Sequence, residues 1–281
     1  MISIVIVAYN SDDTLGDCLA SLTKLKDTEV IVVDNNSQDK SAAVATKYKD
    51  VKLIKSLKNL GFNGGNQLGY EASLGEIVVF LNPDTQVPAD FSERLQKAFS
   101  DHPEAGIIGC RINNEDGSLQ RTCNRLPTLR SLLFEHSGYH TLFPNSAAYS
   151  RYIYRDWDRS SSRYVDAVSG ACTSVRRSSL QKIDGLDTAY FLFYEEFDLS
   201  QKIFSIGQKV WFESDLIVTH IGSTSTKKSN QDFINATYAK SRDRYLKKWR
   251  GSSYLSLFHG LCWLCNKLGG LKSRIQPGLL A

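Results

Sequence analysis

Ile2-Ser3-Ile4-Val5-Ile6-Val7, closed by Ala8-Tyr9-Asn10, is a run of β-branched side chains ending in a small polar cluster. The form returns twice. Residues 30–33 (VIVV) end in Asp34-Asn35-Asn36-Ser37, and residues 77–81 (IVVFL) end in Asn82-Pro83-Asp84. Unbroken Val/Ile runs without polar alternation read as strands buried on both faces, which implies a parallel sheet with helices on each side. In open sheets of this kind ligands bind beyond the carboxyl ends of the strands, where the three clusters would converge. Taken singly, each cluster also suits a turn or a helix N-cap; three together point to a binding edge.

Working outward, Leu15, Cys18, Leu19, Leu22 and Leu25 recur at helical spacing after the first strand. Further helices are expected near 38–48, 63–74 and 89–100, with strands at 51–55 and 106–110. This βα repeat with short connections predicts an α/β, doubly wound, mostly parallel sheet. Over residues 112–163 the periodicity dissolves into polar and aromatic sequence, read as a long irregular and functional segment. Strands return near 164–168, 171–176, 209–213 and 216–220, with a helix near 195–206 and a mostly helical tail from 231.

At 281 residues, 42% hydrophobic and 23% charged, the chain can bury a sizeable core. With a strand from Ile2, a cleaved export signal is not expected. No apolar run reaches the ~18–20 residues needed to span a bilayer. Residues 254–271 come nearest and are interrupted by His259, Asn266 and Lys267. The cysteines at 18, 110, 123, 172, 262 and 265 include one CxxC without a second pair, and read as buried small hydrophobes in a reducing cytoplasm. Residues 223–281 hold eleven Lys/Arg against two Asp, a net +9, whereas residues 1–222 hold 23 against 28, a net −5. A basic, aromatic tail on an acidic body suggests attachment to an anionic surface. No nucleic-acid motif accompanies it, so a membrane is the expected partner, with Trp249, Tyr254, Leu257, Phe258 and Trp263 entering the interface.

Four groups carry candidate chemistry. Asp84 follows Asn82-Pro83 at a strand end, where its carboxylate suits a hard divalent cation; Asn-Pro-Asp also makes a good type I turn. Glu195, Glu196 and Asp198 crowd the first turn of an expected helix. One acid there would complement the helix dipole, but three repel one another, and the excess points to a general base. His220 ends a strand, as either a structural residue or a ligand. Gly61, Gly64, Gly65 and Gly69 open a helix where a ligand could approach backbone amides, although neither GxGxxG nor a Walker A is present.

In the order SIVIVAYN, VIVVDNNSQD, NLGFNGGNQLGY, FLNPDT, VSGACTSVRR, FLFYEEFDLSQKI and VTHIG, the chain resembles the family-2 inverting glycosyltransferases over about residues 2–222, and is most similar to their rhamnosyltransferase-like members. The resemblance implies a GT-A fold over 1–222, with a nucleotide-sugar-binding half at 1–111, a mixed acceptor half at 112–222, and the helical tail at 223–281. It places Ala8, Tyr9, Asn10, Asp34 and Asn36 at the nucleoside. Gly61, Phe62 and Asn66 fall in the loop over base and ribose, and Gly170 and Ala171 beneath donor sugar and acceptor. Asp84 matches the last acid of a DxD-type motif in which Asn82, counted with the nucleotide-sugar-binding residues, replaces the first acid, and His220 matches a further ligand of Mg²⁺ or Mn²⁺. The aligned base is Glu196, beside Glu195, where the family has an aspartate.

The expected reaction is inverting transfer of L-rhamnose from dTDP-L-rhamnose to a lipid-linked saccharide in cell-surface polysaccharide synthesis, at the cytoplasmic membrane face. Trp211, Phe191 and Phe193 are the expected apolar wall against a 6-deoxyhexose. The competing readings are another donor, such as a hexosamine or galactofuranose, and a non-catalytic nucleotide-sugar-binding scaffold. A dinucleotide oxidoreductase is weakened by the missing glycine fingerprint.

Overall fold

The computed structural model describes residues 1–137, 143, 146–222 and 230–267. The strands are β1 (Ile2–Ala8), β2 (Thr28–Asp34), β3 (Val51–Lys55), β4 (Ile77–Leu81), β5 (Thr85–Gln86), β6 (Ala105–Asn113), β7 (Leu119–Gln120), β8 (Arg163–Val165), β9 (Cys172–Arg176) and β10 (Lys209–His220). The helices are α1 (Leu15–Leu22), α2 (Ser41–Ala45), α3 (Gly61–Glu71), α4 (Phe91–Asp101), α5 (Leu129–His136), α6 (Ala147–Tyr152), α7 (Arg177–Lys182), α8 (Glu195–Ser205), α9 (Gln231–Arg250) and α10 (Ser252–Lys267).

The main sheet order is β3-β2-β1-β4-β9-β6-β10-β5. β1 pairs in parallel with β2 and β4, and β2 with β3. β9 enters antiparallel between β4 and β6, after which β6 and β10 run parallel again. β1 to β4 are therefore the parallel set expected, and the mixed pairing already begins before residue 112, with β5 antiparallel to β10 and β6 antiparallel to β9.

Burial explains the unbroken apolar runs. All seven residues of β1 are buried. Ile2, Ile4 and Ile6 pack on the face shared with Leu15, Cys18, Leu19 and Leu22 of α1 and with Phe91, Leu95 and Phe99 of α4. Val5 joins the opposite face with Val78, Phe80, Leu199 and Ile203. Over that face lies α3, close enough that a Cβ on Gly65 would stand 2.7 Å from a Val7 methyl. Gly65 and Gly69 therefore let α3 down onto Val5 and Val7 of the sheet, so these two serve packing. The first amides of α3 are also engaged, since Gly61 N–H donates to Asn59 Oδ1 (2.8 Å) and Phe62 N–H to the Phe191 carbonyl (2.7 Å).

The irregular segment is more ordered than its sequence suggested, for it holds β7, α5 and α6. Residues 209–213 and 216–220 are one long strand with a register irregularity between Glu213 and Ile217, not two. Leu132, Tyr149, Tyr152, Tyr190, Tyr194 and Phe197 form a third, aromatic core with Tyr238, Tyr245, Leu246 and Phe258 of the tail.

The tail corrects part of its expected role. Phe258 is fully buried, and Trp249 and Tyr254 pack against the aromatic core. Leu257 and Trp263 of the expected interface set remain exposed, together with Leu264. Residues 223–229 and 268–281, which carry part of the tail's charge, lie outside the described residues. All six cysteines are free thiols, and five are buried.

Candidate active site

The carboxyl ends of β1, β2 and β4, the turn before β9 and the end of β10 meet at one edge of the sheet. Ala8 is paired with Asp34 and Leu81 with Cys172, and His220 stands opposite Thr85. Two backbone irregularities shape the ends of β1 and β2. Asn10 (φ 51°) and Asn36 (φ 66°) both adopt the left-handed conformation that Asn tolerates better than most residues. Asn10 N–H donates to Ser37 Oγ (3.2 Å), and Asn10 Oδ1 accepts from Gln38 N–H (2.8 Å). Asp34 is buried and accepts from Ser37 N–H at 3.2 Å. Tyr9 is 37% exposed, at the rim.

Asn35, not singled out in the sequence, joins this edge to the glycine loop. Its Nδ2 donates to the Gly61 carbonyl and to Asn59 Oδ1 (both 3.0 Å), and its Oδ1 accepts from Leu60 N–H (2.8 Å). Gly61 is required there, because its φ is +75° and a Cβ would collide with the Phe191 backbone. Asn66 is buried on α3, whereas Asn63 reaches across to donate to the Asp187 carbonyl (2.9 Å).

At the cation corner Asp84 Oδ1 lies 3.1 Å from His220 Nε2, both side chains being almost completely buried. Asn82 Nδ2 is 3.4 Å from the same ring nitrogen, and Gln120 brackets His220 by a 2.9 Å contact to Nδ1 and a 2.7 Å bond to its carbonyl. Gln120 lies in a two-residue strand and carried no sequence signal. Among the described residues no group of three or more His, Cys, Asp or Glu converges. One carboxylate and one imidazole nevertheless fit a small hard cation that completes its shell with diphosphate oxygens and water, since Mg²⁺ is held by one or two carboxylates plus substrate phosphates. The Asp84–His220 contact gives both donors to one point.

Residues 170–171 link this corner to the acids. The Ala171 carbonyl accepts from Asn82 N–H (2.9 Å) and Thr85 Oγ1 (3.4 Å). A Cβ on Gly170 would lie 3.4 Å from the Phe62 ring and 4.0 Å from Glu195 Oε1. Gly170, the Phe62 ring and the Glu195 carboxylate thus share one small volume. Burial raises Glu195 to about 7. Burial, reinforced by the charge of Glu195, raises Glu196 well above the usual carboxylate range. The two titrate as a pair that keeps a proton near neutrality. Asp198 has a different task. It is buried, and accepts from Tyr190 Oη (3.1 Å), Trp249 Nε1 (2.7 Å) and Lys248 Nζ (3.0 Å).

The aromatic wall needs correcting. Trp211 sits near the start of β10, stacked on His102 with centroids 3.7 Å apart. It stands opposite Ile108 of β6, whereas Thr219, beside His220, stands opposite Asn113, five residues further along β6 and roughly 17 Å at the usual rise per residue. Phe193 packs edge-on to Tyr238 of the tail. Phe191, against Gly61, stays at the loop, with Phe62 facing Gly170.

The Asp84–His220 contact and the buried glutamate pair beside Gly170 thus sit at one edge of a mixed α/β sheet of the GT-A type. The family model for glycosyl transferase family 2 matches residues 3–183, and the chain belongs to that family. It is an enzyme, a rhamnosyltransferase-like glycosyltransferase. Over 275 aligned residues it is 28% identical to the N-acetylglucosaminyl-diphospho-decaprenol L-rhamnosyltransferase of Mycobacterium tuberculosis, with 89% of this chain and 87% of that protein covered. It is 27% identical to the low-salt glycan biosynthesis hexosyltransferase Agl10 of Haloferax volcanii, over 70% of this chain and 59% of that one. The fold matches the mannosyltransferase PcManGT of Pyrobaculum calidifontis, solved with GDP-Man and Mn²⁺, with a TM-score of 0.56 at 15% identity over 96% of this chain and 76% of that one. It also matches S. aureus TarS solved with UDP-GlcNAc, with a TM-score of 0.56 at 16% identity over 83% and 63%.

Proposed function

We propose that this protein is an inverting rhamnosyltransferase that moves L-rhamnose from dTDP-L-rhamnose to a lipid-linked saccharide at a membrane surface. The observation that carries the reading is the 28% identity to a lipid-linked L-rhamnosyltransferase across 89% of this chain. The site supports it. Ala8, Tyr9, Asn10, Asp34 and Asn36 lie where a nucleoside enters the strand ends, and Gly61 and Phe62 fold over it. Phe62 and Phe191 offer the apolar surface that a 6-deoxy position requires. Asp84 and His220 would hold Mg²⁺ or Mn²⁺, which supplies charge neutralisation to the departing diphosphate.

The chain's own residues do the rest. Gly170 and Ala171 seat the sugar, and Phe62 closes one side against water. The acceptor oxygen attacks the anomeric carbon from the face opposite the diphosphate, so the bond to the sugar forms as the bond to phosphate breaks. Glu196, in its ionised form, takes the hydroxyl proton; burial and the charge of Glu195 raise its basicity, so the form that turns over is the one in which the pair's shared proton has left Glu196. A single displacement inverts the anomeric centre.

No helix among the described residues is long and apolar enough to cross a membrane. Peripheral attachment is supported instead by exposed Leu257, Trp263 and Leu264 on α10, with Lys240, Lys247, Arg250 and Lys267 exposed on the tail. The test incubates the protein with dTDP-L-rhamnose, UDP-glucose or UDP-N-acetylglucosamine and a vesicle-borne polyprenyl-diphosphate saccharide, with and without EDTA. The expected product is an α-linked rhamnoside formed from the β-linked donor and lost in EDTA. A hexose product overturns the donor, full turnover in EDTA overturns the cation, and a product of retained configuration overturns the mechanism.

A further inference from the structure

Glu195 is preceded by two successive side-chain-bearing residues in the left-handed region, Phe193 (φ 69°) and Tyr194 (φ 66°). That conformation is disfavoured for residues with a bulky Cβ substituent and persists only where surrounding contacts over-determine it. Here one face of α9 supplies them. Tyr238, Ser241 and Tyr245 recur at i, i+3 and i+7, so they line one side of the helix. Ser241 Oγ donates to the Leu192 carbonyl (2.8 Å). The Tyr238 ring packs edge-on against Phe193 (5.6 Å) and Tyr194 (5.3 Å), and Tyr245 closes on Tyr194 and Phe197 (5.6 and 6.1 Å). Beneath the rings the hydroxyls form a chain: Tyr194 Oη lies 3.2 Å from Tyr238 Oη, which lies 3.4 Å from Glu135 Oε2 on α5.

We propose that Tyr238 is a positioning residue for the Glu195–Glu196 pair, its phenol locking the Phe193-Tyr194 elbow between Tyr194 and Glu135, and that the tail helix thereby sets the direction in which the two carboxylates face. The inference rests on the pair being the base. A phenylalanine would fill the space of Tyr238 equally well, so packing alone does not need the hydroxyl. What needs it is the buried oxygen of Tyr194, itself 1% exposed. Without Tyr238 Oη that phenol loses its partner, and the elbow loses the contact that distinguishes one rotation of α8's first turn from its neighbours.

The experiment uses the full chain and compares Tyr238→Phe and Ser241→Ala with the parent for kcat, donor KM and thermal midpoint. Misplacing a reacting group by about 1 Å costs up to about a hundredfold, so kcat is expected to fall by about tenfold to a hundredfold, with donor KM within about twofold. Added to Glu196→Gln, Tyr238→Phe should remove no further turnover, because both act through the same carboxylate. Unchanged kcat in both variants with the parent's midpoint overturns the inference, as does a fall in kcat that follows the unfolded fraction. If Tyr238→Phe does not fold, Ser241→Ala decides alone. Inactive Gln variants with fully active Tyr238→Phe and Ser241→Ala would leave the base reading standing and sink this one; fully active Glu195→Gln and Glu196→Gln variants would sink both.

Discussion

The nucleotide half and the catalytic half of the site are held in different ways. At the nucleotide edge the functional groups follow directly from strand ends, and the bonds that shape them join neighbouring βα units, as Asn35 joins β2 to the Gly61 loop. At the catalytic edge the acids stand on a strained elbow whose supports come from residues 40 to 60 positions away. Asp187 receives Arg244 and Lys248 (2.9 Å each), Asp198 receives Lys248 and Trp249, and Leu192 receives Ser241. Asp187 also shows how firm these ties are. Burial opposes its charge, yet the bonds from Lys248 and Arg244 prevail and lower it to about 2. The first half, which binds the donor in the proposed reading, has a geometry set by its own strands. The second orients groups, and it borrows its rigidity from the tail.

The comparison breaks most visibly at the acid pair. Glu196→Gln should lower kcat by roughly 10²–10⁴-fold with donor affinity intact, because an amide cannot take the hydroxyl proton. Glu195→Gln should cost less and move the acid limb of the pH–rate profile downward, since the charge of Glu195 helps to raise Glu196. The same pair has a stability signature. Its folded-state affinity for protons exceeds that of an unfolded glutamate, so the carboxylates weaken the fold as pH rises from about 4.5 through 7 and above. Glu196→Gln should therefore melt higher than the parent at pH 8, and the gain should shrink towards pH 5. Calorimetry at the two pH values, beside stopped-time turnover, checks both effects; an inactive Glu195→Gln beside an active Glu196→Gln would move the base to the carboxylate facing Gly170.

On the nucleotide side the expected effect is smaller and of another kind. Asn35→Ala strips three bonds from a loop contact that is 2% exposed, and should raise donor KM by about tenfold, equivalent to about 1.4 kcal/mol, with kcat little changed. Steady-state kinetics and calorimetric titration with the donor would show it. If kcat fell and KM held, the division between a binding half and an orienting half would be wrong.

The smallest effect is expected at Asp198→Asn. The amide keeps an acceptor for Trp249 but gives up the charge that Lys248 meets, and Lys248 retains Asp187. A loss of about 1–2 kcal/mol is expected after allowing for the partial exposure of Lys248, with a thermal midpoint a few degrees lower. A kcat loss below about fivefold would fit a support one step removed from the elbow. An unchanged melting temperature would deny Asp198 its part in holding the tail.

Much of this was legible before any coordinates. Ile2–Val7 and residues 77–81 could only be strands buried on both faces, because an unbroken β-branched run has no polar face to turn to water. Asp84 and His220 were legible as strand-end groups for the same reason, and their meeting at 3.1 Å follows from β10 pairing with β5. Less visible were α5 and α6, whose apolar positions face an aromatic core supplied partly by the tail, so that local periodicity misses them. Asn35 was visible only as one member of a strand-end cluster, and Gln120 and Tyr238 gave no local signal, since an amide or a phenol takes its role from a partner remote in sequence. The basic tail shows the limit most clearly. Its charge and aromatics suggested a membrane, but Phe258 is core, Trp249 donates to Asp198, and Arg244 and Lys248 pair with Asp187 and Asp198 of the fold.

The sequence by itself determined the buried strands and the polar residue types gathered at their ends, because strand identity follows from hydrophobic pattern over five to seven residues. The tertiary structure alone decided how the glutamate pair faces. A left-handed elbow at Phe193 and Tyr194 runs against local preference, and only contacts from α9 and α5, distant along the chain, hold it in place.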